Sequence, residues 1–83
     1  MSKSVNSIEY DRFRELLRSA RISAGVSQAD LAKALDQPQS VISKIERGER
    51  RIDVVEFVKV ARVLDLDASQ LIRDFAQTLD QST

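Results

Sequence analysis

The chain has 83 residues, and its 13 basic and 13 acidic side chains give a formal net charge of zero. This length suffices for one small domain with a single core. No cysteine or histidine is present, which excludes disulfides and removes the usual metal ligands and the commonest general base. We therefore expect no enzyme activity, no metal and no cofactor.

The sequence contains neither a run of 18 apolar residues nor a basic N-terminal segment leading into an apolar stretch. We expect no membrane segment and a cytoplasmic location. Charge is segregated along the chain: residues 1–51 hold ten basic and seven acidic side chains, whereas residues 52–83 hold three and six. A basic front and an acidic back would orient the molecule on a polyanion although its total field is weak.

Apolar residues recur at three- and four-residue steps in successive segments, which predicts an all-α, compact five-helix domain. We expect helices over about 8–24, 28–35, 38–47, 53–64 and 67–79. A flexible N-terminus (1–7) would precede the single domain (8–79), and a flexible tail (80–83) would follow it.

Capping residues mark several of the predicted helix ends. Ser27 is a favourable N-cap, Asp53 with Glu56 three residues later matches a capping box, and Asp67 is placed to cap the last helix. Gly25 is free to adopt the left-handed conformation that closes the first helix. A two-turn second helix, a tight connection and a short third helix make a helix-turn-helix unit.

The stretch from residue 37 to residue 51 organises the chain. Pro38 suits the first turn of a helix and Gly48 its end, while Val41, Ile42 and Ile45 share the side that faces a core. The other side carries polar side chains with few acidic neighbours. These are Gln39, Ser40, Ser43, Lys44 and Arg47.

The chemistry of this face fits the base edges of double-stranded DNA. Glutamine can bond N6 and N7 of adenine together, lysine can donate to guanine, and serine can donate or accept. The plain alternative is an ordinary solvated helix face. The arginines at 47, 50 and 51 interleave with Glu46 and Glu49, so they could likewise serve solubility alone.

These residues carry a resemblance to a family. The run SQADLAKALDQPQSVISKIERGERR resembles the lambda-repressor-like helix-turn-helix proteins of the Cro/CI or Xre type, and the similarity extends from about Leu17 to Leu71. The matching positions are Arg21, Gly25, Val26, Ser27, Gln28, Leu31, Ala32, Ile42, Ser43, Glu46, Gly48, Val60, Ala61 and Leu64.

The resemblance implies a DNA-binding transcriptional regulator, with the third helix in the major groove and a two-fold dimer on a palindromic operator. Such a protein would associate with the nucleoid of a bacterial or phage-type system when bound. The resemblance further implies base contacts by Gln39, Ser40, Ser43 and Lys44, and phosphate contacts by Gln28, Arg47, Arg50 and Arg51. It also implies a structural ion pair between Arg21 and Glu46.

The chain departs from the family pattern at three adjacent positions. Asp36 stands where glycine is frequent, and aspartate tolerates the left-handed region. Gln37 stands where an apolar residue is common, so either the turn packs less tightly or Gln37 is a further DNA contact. Pro38 replaces the usual Ser or Thr, so the third helix would begin without a side-chain cap.

The last predicted helix carries an apolar stripe that has two possible uses. Leu71 is expected to close the core, while Ile72, Phe75 and Leu79 either complete it or pair across a two-fold axis. We expect the second use, and hence a homodimer. The leading function is a dimeric repressor without an evident small-molecule ligand; the alternative is a controller, antitoxin or other module that binds a protein through its acidic C-terminal half.

Overall fold

Five helices make up residues 7–80, the part of the chain that the computed structural model describes. They are α1 (Ile8–Ser23), α2 (Gln28–Ala34), α3 (Gln39–Glu46), α4 (Val54–Val63) and α5 (Ala68–Asp80). Residues 7–80 contain no strand, so the predicted all-α five-helix architecture is confirmed. The predicted flexibility of residues 1–6 and 81–83 lies outside the described residues.

Three helices begin one residue later than predicted because the expected first residues are caps. Pro38 has extended backbone, with φ −63° and ψ 146°, and supplies no side-chain hydrogen bond to α3. Asp53 and Glu56 form a reciprocal capping box, in which the Glu56 amide donates to Asp53 Oδ1 at 2.7 Å and the Asp53 amide donates to Glu56 Oε1 at 3.1 Å. Asp67 Oδ1 accepts from the Ser69 amide at 2.9 Å, at the first turn of α5.

The two ends of the described chain also differ from the predicted limits. Ser7, assigned to the N-terminal tail from sequence, is the N-cap of α1, and its hydroxyl oxygen accepts from the Tyr10 amide at 3.0 Å. Asp80, assigned to the C-terminal tail, is the last residue of α5. A hydroxyl cap satisfies an amide that the first helical turn leaves unpaired, which is why Ser7 belongs to the folded domain.

Aspartate takes the place of glycine in two helix connections. Asp36, after α2, has φ 56° and so adopts the left-handed region expected for it, and Asp65, after α4, has φ 59°. Gly25 and Gly48 close α1 and α3 with φ 73° and 79°. Each connection therefore reverses the chain within a few residues, which keeps α2 and α3 adjacent.

Two clusters of buried side chains hold the helices together. The first joins α2, α3 and α4. Its member Ala32 is 3% exposed, and because its side chain is small, α2 and α3 can cross closely. The first cluster consists of Leu31, Ala32, Ile42, Val60 and Leu64. The second joins α1, α4 and α5 and consists of Leu17, Phe57, Ala61 and Leu71.

The four aromatic residues of the chain pack together beside the second cluster, and Phe13 contacts each of the other three. The Phe13 ring centroid lies 6.1 Å from that of Tyr10, 5.4 Å from that of Phe57 and 5.2 Å from that of Phe75. Such tilted and edge-on contacts are favourable beyond the area they bury. Phe75, assigned to the dimer interface from sequence, therefore packs within its own chain.

Within residues 7–80, no helix combines the length and the apolar character that crossing a bilayer requires.

Candidate nucleic-acid interface

The solvent face of α3 carries the polar row that the sequence indicated. Ile42 and Ile45 anchor the opposite side of the helix in the core, with 3% and 8% of their surfaces exposed. Val41 is only half-buried and lines a groove between α3 and α4 instead of the core. The exposed members of the row are Gln39, Ser40, Lys44 and Arg47, and Ser43 is half-buried among them.

The last residue of α3 is fixed to α1 by the Arg21–Glu46 ion pair. Arg21 Nε lies 2.6 Å from Glu46 Oε2, and Nη2 lies 3.0 Å from Oε1, so the contact is bidentate. The two side chains are only 11% and 10% exposed. Arg21 Nη1 also donates to the carbonyl oxygen of Val26 at 2.8 Å. The structure thus brings together the two residues expected to pair, and the pair sets the orientation of α3.

Glu46 remains charged because of its partners. Burial by itself raises the pKa of the Glu46 carboxyl, but hydrogen bonds from Arg21 and Gln28 and the charge of Arg21 outweigh burial and leave the pKa below its ordinary value of 4.5. A carboxylate that accepts several charge-assisted hydrogen bonds keeps its geometry. The anchor of α3 is therefore both ionic and directional at neutral pH.

Gln28, at the first position of α2, links this anchor to the reading face. Its Nε2 donates to Glu46 Oε1 at 2.9 Å, while its Oε1 accepts from Ser43 Oγ at 2.8 Å and from Gln39 Nε2 at 3.5 Å. The carboxylate can only accept, so it fixes the Gln28 amide nitrogen towards Glu46 and turns the amide oxygen towards Ser43 and Gln39. One amide hydrogen of Gln28 is left for an external acceptor, such as the phosphate that the sequence reading assigned to it.

Arg14 is a second arginine of α1 that contacts α3, and sequence reasoning missed it. Its Nη1 donates to the main-chain carbonyl oxygen of Glu46 at 2.6 Å, and its Nε donates to Asp11 Oδ1 at 3.1 Å. A cation at the C-terminal end of a helix satisfies an unpaired carbonyl and opposes the helix dipole. The signal was the seven-residue spacing from Arg21, which puts both arginines on one face of α1.

Two of the three loop arginines are already occupied by carboxylates of their own chain. Arg47 contacts both oxygens of Glu49, at 3.0 and 3.2 Å. Arg50 contacts both oxygens of Glu56, at 3.2 and 2.8 Å, and also donates to the carbonyl oxygen of Arg51. The hydrogen bonds from Arg47 and Arg50 lower the pKa of Glu49 and of Glu56 respectively. These two cations are partly neutralised in the protein alone.

Arg51, the third loop arginine, rests on the aromatic face of Tyr10. Its guanidinium carbon lies 4.3 Å from the Tyr10 ring centroid, a cation–π geometry that leaves the edge of the guanidinium open to solvent. The Tyr10 hydroxyl accepts a hydrogen bond from the Ile52 amide at 3.0 Å. Tyr10 therefore ties the basic loop to the start of α1.

Lys44 differs from the arginines in that no carboxylate of residues 7–80 forms an ion pair with it within 4.0 Å. It stands one turn after Ser40 on the exposed side of α3.

On α5, Ile72 is 46% exposed, whereas Phe75 and Leu79 are half-buried. The stripe expected at a dimer interface is thus exposed mainly at Ile72.

A comparison with protein-family models finds one whose matched region includes most of the site just described. The family model described as Helix-turn-helix matches residues 17–71, which include α2, α3 and α4 in full. No curated protein matches the chain significantly.

Solved structures with a similar fold cover most of the chain. An XRE-family like protein from Pseudomonas syringae pv. tomato str. DC3000 is 38% identical, with a TM-score of 0.80 over 84% of this chain and 85% of that chain. The restriction-modification controller protein C.AhdI from Aeromonas hydrophila is 31% identical, with a TM-score of 0.70 over 78% and 98%. The clp gene regulator ClgR from Corynebacterium glutamicum shares the fold at 21% identity, with a TM-score of 0.78 over 92% and 81%.

Proposed function

We propose that this chain reads a specific operator with α3 in the major groove, since it belongs to the lambda-repressor-like, Xre-type family of helix-turn-helix proteins. The members of this family are DNA-binding transcription regulators and not enzymes. The observation that supports this proposal most is the polar row of α3 held outward by the buried Arg21–Glu46 pair. The major groove admits one helix and offers a distinct donor and acceptor pattern for each base pair.

Gln39 and Lys44 are the principal base-reading residues in this proposal. Gln39 gives one amide hydrogen to Gln28, which leaves its second hydrogen and its oxygen for N7 and N6 of an adenine. Lys44 has three donors and suits the guanine acceptors. Ser40 and Ser43 lie on the same face and complete the contacts, while Gln28 and the loop arginines contact phosphates.

We further infer that the protein acts as a homodimeric repressor on a palindromic operator. A helix of eight residues reaches only a few base pairs, so two copies on adjacent half-sites are needed for a selective site. The exposed Ile72, beside the half-buried Phe75 and Leu79 on α5, supplies an apolar contact point suited to a two-fold axis. The relative described as a restriction-modification controller supports a regulatory role.

The experiment is a binding measurement on DNA fragments selected from genomic or random libraries, followed by two substitutions on α3. We expect Gln39→Ala and Lys44→Ala each to weaken operator binding by about 1–3 kcal/mol and to relax the sequence preference. Lys59→Ala, which removes the same charge from α4, is the matched control and should change little. Equal losses on operator and scrambled DNA would contradict base reading by α3.

A second candidate function, binding to a protein partner, is favoured by an apolar feature outside the α3 face. Val54 and Val55 are 76% and 62% exposed at the start of α4, and Val55 lines the groove of about 260 Å³ between α3 and α4. Acidic side chains of Asp53 and Glu56 border the same groove. If no DNA binding is detected even at low salt, this surface becomes the leading candidate.

A further inference from the structure

The basic loop after α3 carries less available positive charge than its sequence suggests. Formally, three arginines occupy residues 47–51. Two of them form bidentate contacts, Arg47 with Glu49 and Arg50 with Glu56. Together the three arginines and the two glutamates sum to a single positive charge, so the loop approaches a phosphate backbone with a reduced attraction.

Arg50 cannot offer both of its terminal nitrogens to a phosphate while it holds Glu56. Its Nη1 already donates to Glu56 Oε1 and to the carbonyl oxygen of Arg51, and its Nη2 donates to Glu56 Oε2. A guanidinium has five N–H donors, so two remain, one on Nε and one on Nη2, and these lie on the same side of the group. A bidentate phosphate contact, the strong form of this interaction, is possible through Nε and Nη2 while Glu56 stays bound, and it would bring the Glu56 carboxylate close to the phosphate.

Arg47 is limited in the same way, with the other fork of its guanidinium occupied. It holds Glu49 through Nε and Nη2, so the hydrogens of Nη1 and one of Nη2 stay available and a forked contact to phosphate is geometrically possible. The carboxylate would then accompany the guanidinium to the DNA surface. Both side chains of this pair are 56% exposed, so the cost is repulsion between Glu49 and the phosphate.

On these contacts, and resting on the proposed DNA-binding function, we propose that Glu49 and Glu56 are positioning residues that limit phosphate binding by Arg47 and Arg50. The two carboxylates offset the positive charge of the arginines and repel the DNA backbone, and thereby lower affinity for every sequence alike. Phosphate contacts carry no sequence information, so recognition depends more heavily on the bases read by α3. A regulator attenuated in this way dissociates readily from non-operator DNA.

The test compares Glu49→Gln and Glu56→Gln with the unaltered protein on a random-sequence duplex and on the selected operator, between about 50 and 200 mM salt. Glutamine at position 56 can still accept from the Asp53 amide, so the capping box of α4 is kept. The matched control is Glu15→Gln. It makes the same change in net charge and breaks a similar exposed pair, Arg18 with Glu15, on α1.

We expect each loop variant to bind both DNAs more tightly, by up to about fivefold, the factor equivalent to an exposed ion pair. Glu56→Gln should also steepen the dependence of log affinity on log salt by up to about 0.9, because Arg50 then neutralises a phosphate without an attached carboxylate. The ratio of operator to random-sequence affinity should stay unchanged, and the control should match the unaltered protein.

Weaker binding by the two loop variants would overturn the proposal, since it would mean that the carboxylates orient the arginines towards DNA. Tightening no greater than that of Glu15→Gln would also overturn it, by assigning the effect to net charge. If Glu56→Gln lowers the melting temperature, Glu49→Gln decides alone, because its exposed pair lies outside any helix. Absence of binding by the unaltered protein on any DNA at low salt would instead refute the proposed function itself.

Discussion

Replacing Glu46 with alanine tests whether the buried ion pair holds α3 in place. The substitution removes the acceptor of two hydrogen bonds from Arg21 and of one from Gln28. It leaves the Arg21 guanidinium, 11% exposed, with the carbonyl oxygen of Val26 as its remaining acceptor at that site. An unpaired charge that stays buried is costly, and removing one partner of a buried pair costs about 3–5 kcal/mol.

That cost is large against the stability of so small a domain. At about 0.05–0.15 kcal/mol per residue, a chain of this length has a free energy of unfolding of roughly 4–12 kcal/mol. We therefore expect Glu46→Ala to lose between about a quarter and all of this free energy of unfolding. Urea denaturation followed by far-ultraviolet circular dichroism measures the difference, and Glu15→Ala, which breaks an exposed pair on α1, should cost only about 0–1 kcal/mol.

A Glu46→Ala variant as stable as Glu15→Ala would refute the reasoning, because the pair would then contribute no more than a surface contact. A double variant refines the test. Arg21→Met combined with Glu46→Leu removes both charges and keeps the volume, so most of the stability should return. DNA binding should not return with it, because Gln28 would lose the carboxylate that fixes its amide.

Two other expectations follow from the same contacts and from α5. The pKa of Glu46 is lowered on folding, so the charged carboxylate stabilises the fold above its ordinary pKa, and this stabilisation is lost as the pH falls through the folded pKa. Glu46→Gln should therefore flatten the acid limb of a curve of unfolding free energy against pH. An unchanged acid limb would count against this. Ile72→Lys should shift a dimer to monomer in sedimentation without lowering the monomer's stability, since Ile72 is 46% exposed, and a monomeric unaltered protein well above micromolar concentration would exclude the dimer.

Features of the site that depend on neighbours in the chain were predictable. The amphipathic pattern of α3 placed Ile42 and Ile45 inward and Gln39 and Lys44 outward, because side-chain direction in a helix follows from sequence spacing. Family resemblance added the Arg21–Glu46 pair. Arg14 was missed because its partner is a main-chain carbonyl oxygen, a group that every residue has, so the spacing from Arg21 indicated the face of α1 but not the contact.

The occupation of Arg47 and Arg50 was equally invisible in the sequence. Arginines and glutamates alternate through residues 46–50, and this alternation is compatible with several pairings. The fold selects Glu49 for Arg47 and, across the start of α4, Glu56 for Arg50. Phe75 shows the same dependence, since its edge-on contact with Phe13 exists only because α1 and α5 pack together.

By itself, the sequence determined to within one residue where helices begin and end, and which side of each is apolar, because caps and periodicity act over three or four residues. The tertiary structure alone decided which charges meet, which aromatic side chains turn inward and which donors stay available for a ligand. These outcomes depend on the angles and distances between helices, which are set by packing between residues far apart in the chain.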